Sequence, residues 1–362
     1  MKKLLLLPLL LVLLTACLDE IDLTQGDALP EGIVLQGRIN LDSNDNEAEA
    51  RITLERLFNF ADSNRPDRVA NATVTLENSE GQTINLPFRD GAYRAEIPLN
   101  AGFRVAPGLG YKVVVTTREG ENYETAFDVM PEPIALERVE ASIGVAPRLN
   151  AIGTEVMDTA VFYNVTGPVR YPNGEPSYIR WTTNQTYKVT DTPMHFSVRD
   201  NEPKVCYITQ GFMGANINLY QSQNSSVSRV EDFPITFQFV DFPYAEGNVM
   251  TIFQEAISQE AFIYFDQIGK IASTDASIFE PPGGPVIGNA RDVNGNTSNV
   301  FGFFYAANRS SVRVAVAPEE VGFPTPFCPR PPSQSPTPSF NSCDDCLIIN
   351  GSELSRPSWF PF

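Results

Sequence analysis

Imidazole is almost absent from this chain: 362 residues carry one histidine, His195. A multi-histidine metal centre and the two-histidine helix of a metallopeptidase are therefore excluded. Basic residues are scarce as well, with 26 Lys and Arg against 44 Asp and Glu, a formal charge of −18. Such a surface repels phosphate, which argues against a nucleic-acid binder. No apolar run reaches the ~20 residues of a membrane-spanning helix, and the stretch from Leu4 to Leu14 covers about half of that. Neither a Gly-x-Ser-x-Gly elbow nor a phosphate-cradling glycine loop occurs, so the common serine-hydrolase and nucleotide-binding motifs are missing. Lying between Met194 and Phe196 and close to Pro193, His195 reads as a satisfied loop histidine rather than a triad member. Apolar residues, by contrast, make up 42% of the chain, which excludes wholesale disorder. The length suggests about two domains.

The N-terminus has a definite layout. Lys2 and Lys3 precede the apolar run, and Leu14-Thr15-Ala16-Cys17 follows it. A basic start, a short hydrophobic stretch and small residues describe a secretory signal, and the final four residues resemble a bacterial lipobox with lipid on Cys17. Residues 1–16 are then the signal peptide. Their removal leaves 24 basic against 44 acidic side chains, a charge of −20. Asp19, Glu20 and Asp22 directly after Cys17 resemble the acidic export signal that takes lipoproteins of Bacteroidota to the outer face of the outer membrane. Residues 17–32, with Gly26, Pro30 and Gly32, read as the lipidated cysteine and its tether.

From Ile33 the pattern is mainly β. Ile33, Leu35, Gly37 and Ile39 alternate with Val34, Gln36 and Arg38, as a half-buried strand requires. Strands at Val69–Leu76, Thr83–Phe88, Tyr93–Ile97, Gly110–Thr116 and Tyr123–Val129 follow, punctuated by turns such as Arg89-Asp90-Gly91. This spacing predicts an immunoglobulin-like or transthyretin-like sandwich over 33–130. A polar stretch, Asp42–Glu49, is expected to open a loop insertion containing a short helix near Arg51–Phe60. Pro131-Glu132-Pro133 marks a boundary. Over 134–317 a larger β domain is expected, with strands including Tyr178–Thr182, Thr186–Thr190, Asn248–Ala256, Val300–Ala307 and Ser311–Val316. A single helix is expected inside it near 258–272, capped by Ser258 and packing Ala261, Phe262, Phe265, Ile268 and Ala272 into the core. The tail, 318–362, begins with a proline-rich connector.

Beyond Cys17 the cysteines are Cys206, Cys328, Cys343 and Cys346. An exported protein meets an oxidising compartment, which favours disulfides, while Asp344 and Asp345 oppose the thiolates that a zinc or redox Cys-x-x-Cys site needs. Four cysteines permit three pairings. The preferred reading joins Cys206 and Cys328 each to one member of the Cys343/Cys346 pair, stapling the tail to the second domain.

The tail also carries a resemblance. Cys343-Asp344-Asp345-Cys346, Asn350-Gly351-Ser352 and Arg356-Pro357-Ser358-Trp359-Phe360 resemble the closing signature of a family of Bacteroidota lipoproteins numbered as domain of unknown function 4249. So do Cys206-Tyr207-Ile208-Thr209-Gln210, the helix entry Ile257–Phe262, Gly288-Asn289-Ala290 and Val300-Phe301-Gly302-Phe303-Phe304. The tail departs from that pattern at Asn350-Gly351-Ser352 and Ser358. The resemblance implies an outer-membrane lipoprotein often encoded beside a TonB-dependent transporter, and it supplies no catalytic residues.

Other chemistry is sparse. Asp292, Asn294 and Asn296 alternate as in a calcium loop, but Thr297 and Phe303 stand where that loop wants Gly and Glu, so a hairpin turn at Asn294-Gly295 is preferred. Thr159 lies in Asp158-Thr159-Ala160, a triplet resembling an O-glycosylation motif of Bacteroidota. Trp181 and Trp359 read as packing residues rather than sugar platforms. No cofactor is expected beyond the lipid. The resulting expectation is a non-enzymatic binding component beside a TonB-dependent transporter. The alternatives are a carboxylate-based hydrolase acting on carbohydrate or peptide and an adhesive surface module.

Overall fold

The computed structural model describes residues 32–42, 47–57, 67–100, 102–192, 202–211, 217–223, 225–273, 286–294, 300–328 and 341–362. Cys17, Asp19, Glu20, Asp22, His195 and Asn296 lie outside these residues. Within them the chain is mainly β, with twenty strands in three sheets. The first nine are β1 (Ile33–Asp42), β2 (Glu47–Arg56), β3 (Thr73–Asn78), β4 (Thr83–Asn85), β5 (Phe88–Arg89), β6 (Ala92–Pro98), β7 (Gly110–Thr116), β8 (Asn122–Thr125) and β9 (Asp128–Val129). There follow β10 (Arg138–Leu149), β11 (Glu155–Pro168), β12 (Tyr178–Thr190), β13 (Val205–Gly211), β14 (Asn218–Gln221), β15 (Arg229–Phe239) and β16 (Asn248–Ile257). After the helix α1 (Gln259–Ser273) come β17 (Ala290–Asp292), β18 (Val300–Phe301), β19 (Phe304–Val316) and β20 (Ser352–Glu353).

Eleven strands make one sheet, ordered β20-β13-β12-β16-β19-β1-β2-β6-β5, with β14 on β12 and β18 on β1. One of its faces is covered twice. Ile33, Leu35 and Ile39 of β1 and Ile52 of β2 pack with Leu76, Val113 and Val115 of the six-stranded sheet β17-β8-β7-β3-β4. Further along, Ile179, Trp181 and Ile252 pack with Val161, Tyr163 and Ile235 of the three-stranded sheet β10-β11-β15. Side-chain alternation drives this layering: in β7, Tyr111, Val113 and Val115 are buried while Lys112 turns out to Glu77 and Glu124. The helix lies against the opposite face of the large sheet, through Ala261, Phe262 and Tyr264 with Phe303 and Tyr305.

Several expectations change. Of the helix expected near Arg51–Phe60, Arg51–Arg56 belong instead to strand β2 while residues 58–60 lie outside the described residues, and Glu47–Glu49, expected in a loop, open that strand. The reason is a period of two: Ala48, Ala50, Ile52 and Leu54 are all buried against the first core. Tyr178–Thr182 and Thr186–Thr190 are one continuous strand, β12. The prolines at 131 and 133 do not divide the hydrogen bonding. β1 runs parallel to β19, Gly37–Asp42 opposite Phe304–Arg309, so the large sheet crosses that boundary. The connector is stitched down by side chains: Gln254 Nε2 donates to the Ile134 carbonyl at 3.0 Å, and the Leu136 N–H donates to Ser310 Oγ at 2.9 Å. Those bonds satisfy polar groups that the buried Ile134 and Leu136 would otherwise strand.

The tail is stapled as expected. Cys206 of β13 bonds Cys346, and Cys328 bonds Cys343. Asn350-Gly351-Ser352 forms the turn that lays β20 along β13, with Gly351 at φ 78°. Phe360 is buried, whereas Trp359 is 37% exposed and lies under the Arg313 guanidinium. Trp181 is buried and donates from Nε1 to Gln254.

Candidate functional site

A cavity of about 220 Å³ opens between α1 and the outer face of the large sheet. Its polar wall comes from strands far apart in the chain. Arg38 on β1 stands directly opposite Arg51 on β2, and Tyr305 on β19 faces Arg38 from the other side. Arg180 reaches in from β12. The apolar wall is Tyr264, Phe265 and Ile268 from α1, with Phe303 from the approach to β19. Tyr264 stacks on Phe303 with ring centroids 4.7 Å apart, and Phe265 meets Tyr305 edge-on at 5.2 Å. None of the lining residues is a carboxylate, thiol or imidazole.

One carboxylate stands behind the wall. Glu255 of β16 is buried and accepts from Arg180 Nη1 at 3.3 Å and from the Tyr305 hydroxyl at 3.3 Å. Arg180 Nη1 also donates to the Tyr305 hydroxyl at 2.8 Å, and its guanidinium lies 4.0 Å from the Phe265 ring centre. Burial alone would lower the Arg38 pKa, but Tyr305, Glu255 and Glu49 more than offset it and hold that group above its ordinary value. Burial, then Glu255, pushes the Tyr305 phenol up, so it stays neutral. The cavity therefore presents fixed positive charge beside aromatic faces, the chemistry of recognising an anion.

A scan against protein-family models matches residues 20–313 to a domain of unknown function, DUF4249. The chain belongs to this family. No curated protein matches it. The stretch shared with DUF4249 contains every residue of the cavity, and it ends before the disulfide-bearing tail.

In this DUF4249 chain the residues expected to matter are scattered. Asp292 ends β17 and accepts from the Asn294 N–H at 2.7 Å, a local turn. Among the described residues no group of three metal-ligating side chains is found. Thr159 is half-buried on β11. Of the helical stripe, Ala261 and Phe262 pack as expected, Phe265 and Ile268 line the cavity, and Ala272 is exposed. The arginines of the cavity were not anticipated. Each is an ordinary charge on the polar side of an alternating strand, and nothing local says that three such strands share a face.

The helix is anchored by a buried acid. Ser258 Oγ accepts from the Ala261 N–H, capping α1, and donates to Asp128 Oδ1 at 2.6 Å; Asp128 Oδ2 accepts from the Ala306 N–H at 2.8 Å. Burial pushes the Asp128 carboxyl up to about 6. A folded pKa above the unfolded value means that the native state holds the extra proton between about pH 4 and pH 6. This contribution is then complete below pH 4 and is lost as pH rises through 6. Relative to an Asp128→Asn variant, wild type should gain about 1.3 kcal/mol of stability on going from pH 7 to pH 5. Urea denaturation of both proteins at the two pH values checks it. A difference that stays flat would contradict the assignment.

Proposed function

We propose that the protein is a lipid-anchored component of nutrient uptake at the outer membrane that binds a ligand without transforming it. Lipid on Cys17 holds it to the membrane, Asp19, Glu20 and Asp22 direct it to the cell exterior, and a TonB-dependent transporter is its partner. The observation that carries the binding role is the cavity under α1, whose arginines and aromatic rings supply recognition while its lining holds no carboxylate pair for hydrolysis. Among the described residues no helix is long and apolar enough to cross a membrane, which leaves anchoring to Cys17 in this reading.

The test is fractionation of the native host. The wild-type protein is expected in the outer-membrane fraction, with an acylated Cys17 as its mature N-terminus by mass spectrometry. Cys17→Ser should release it, and cross-linking of the wild-type protein should capture a β-barrel transporter. Wild-type protein that is soluble and unacylated would overturn the anchor. Acylated protein that captures no transporter would overturn the uptake role.

A further inference from the structure

We propose that the cavity binds a small organic monoanion, a carboxylate carried on a planar or apolar body. This deepens the binding role proposed above and rests on it. The first argument is charge. In a chain with a surplus of acids, two cations face each other across neighbouring strands, Arg38 and Arg51, an arrangement that is repulsive when unrelieved. Among the described residues neither has a carboxylate within ion-pair distance. Arg180 is half-satisfied by Glu255, and its Nε is buried with no hydrogen-bond partner. Arg309, on the same face, pairs with Asp42 and Glu49. Of the arginines that line the cavity, Arg180 is already paired with Glu255, so Arg38 and Arg51 remain to share one forked acceptor, which suits a single carboxylate.

The second argument is shape. A cavity of about 150 Å³ accepts benzene, so about 220 Å³ has room for a six-membered ring and a carboxylate. The ring would lie against Tyr264, Phe265 and Phe303. The carboxylate would take the forked donors of Arg51 and Arg38, a geometry a guanidinium suits better than an ammonium. Arg51 is exposed and so can meet the ligand on entry.

Isothermal titration of the full chain with benzoate, phenyl phosphate and benzamide distinguishes the possibilities. Benzoate should bind with a dissociation constant below about 1 mM, benzamide at least tenfold more weakly. Arg51→Gln should weaken benzoate by roughly tenfold to a hundredfold. Arg94→Gln, next in the same cross-strand row but paired with Asp90, should leave it unchanged. Ile268→Trp, which fills the cavity without touching a charge, should abolish it. Thermal melting of each variant verifies that it is folded. Phenyl phosphate binding more tightly than benzoate would overturn the monoanion assignment. Benzamide matching benzoate would overturn the role of the arginines. Failure of all three probes would overturn this ligand class while leaving the Cys17 anchor and the transporter capture, which are read out separately, untouched.

Discussion

Gly302→Ala is expected to destabilise the protein by more than about 4 kcal/mol, enough to prevent accumulation of folded chain. Gly302 has φ 105°, and a Cβ there would lie 1.9 Å from the Leu35 carbonyl oxygen and 2.6 Å from its carbon. Leu35 is backbone of β1, held between β2 and β19 in the middle of the large sheet, so it cannot retreat. The cause lies in the pairing of the last strands. β18 sits beside β1 at Ile33 and Val34, β19 resumes the same register at Gly37, and Gly302 and Phe303 form the break opposite Leu35 and Gln36. Gly288 presses on that break, since its own Cβ would meet the Gly302 carbonyl at 1.9 Å. Next to it, the Asn289 side chain accepts from the Phe304 N–H at 2.9 Å and donates to the Phe304 carbonyl at 2.7 Å. Asn289→Ala should therefore cost less, about 2 to 4 kcal/mol, by leaving a buried N–H and C=O unpartnered. Urea denaturation ranks the two variants. A Gly302→Ala protein within about 1 kcal/mol of wild type would mean that the break relaxes freely. The same break aims Phe303 and Tyr305 into the cavity, so ligand binding should fall with stability.

Removing the Cys206–Cys346 bond should be nearly as damaging. It spans 140 residues, against 15 for Cys328–Cys343. On the chain-entropy account, the longer loop is worth on the order of 5 kcal/mol and the shorter about 3. The tail's other contacts are short and scattered: Lys204 pairs with Asp345, the Thr192 N–H donates to the Cys343 carbonyl, and the Cys346 N–H donates to Asp191. β20 contributes two residue pairs to β13, and Phe360 and the bonded cysteines supply the buried surface. The double variant Cys206→Ala/Cys346→Ala should lower the urea midpoint more than Cys328→Ala/Cys343→Ala. It should also open the tail to chymotrypsin at the Trp359–Phe360 bond, where Phe360 is buried in the intact protein. Equal midpoints for the two variants would show that loop length does not set their contribution.

Much of the architecture was legible in local pattern. The alternation in Gly110–Thr116 located β7 to the residue, and Ser258 with the stripe behind it located α1 and its cap. Glu47–Arg56 was misread because Glu and Arg at the outward positions mimic a polar helix, while its buried residues include two alanines, weak markers of a strand. The site was not legible. Arg38 and Arg180 are separated by 142 residues, and Tyr264 stands on the helix face next to a stripe that predicts only packing.

The sequence by itself determined that the chain is mainly β, that a capped helix follows Ser258 and that its tail is tied by cysteines. These follow from the period of apolar residues, the cap chemistry and the number and neighbours of the cysteines, all of which act over a few residues or on composition. Only the tertiary structure decided that β1 lies parallel to β19, which joins the two expected domains through one sheet. That same pairing sets Arg38 beside Tyr305 and brings Arg180, by way of β16, onto the face covered by α1. Strand neighbours far apart in sequence are chosen by the burial of whole sheet faces, and a single strand's alternation records which of its sides is buried but not what lies across from it.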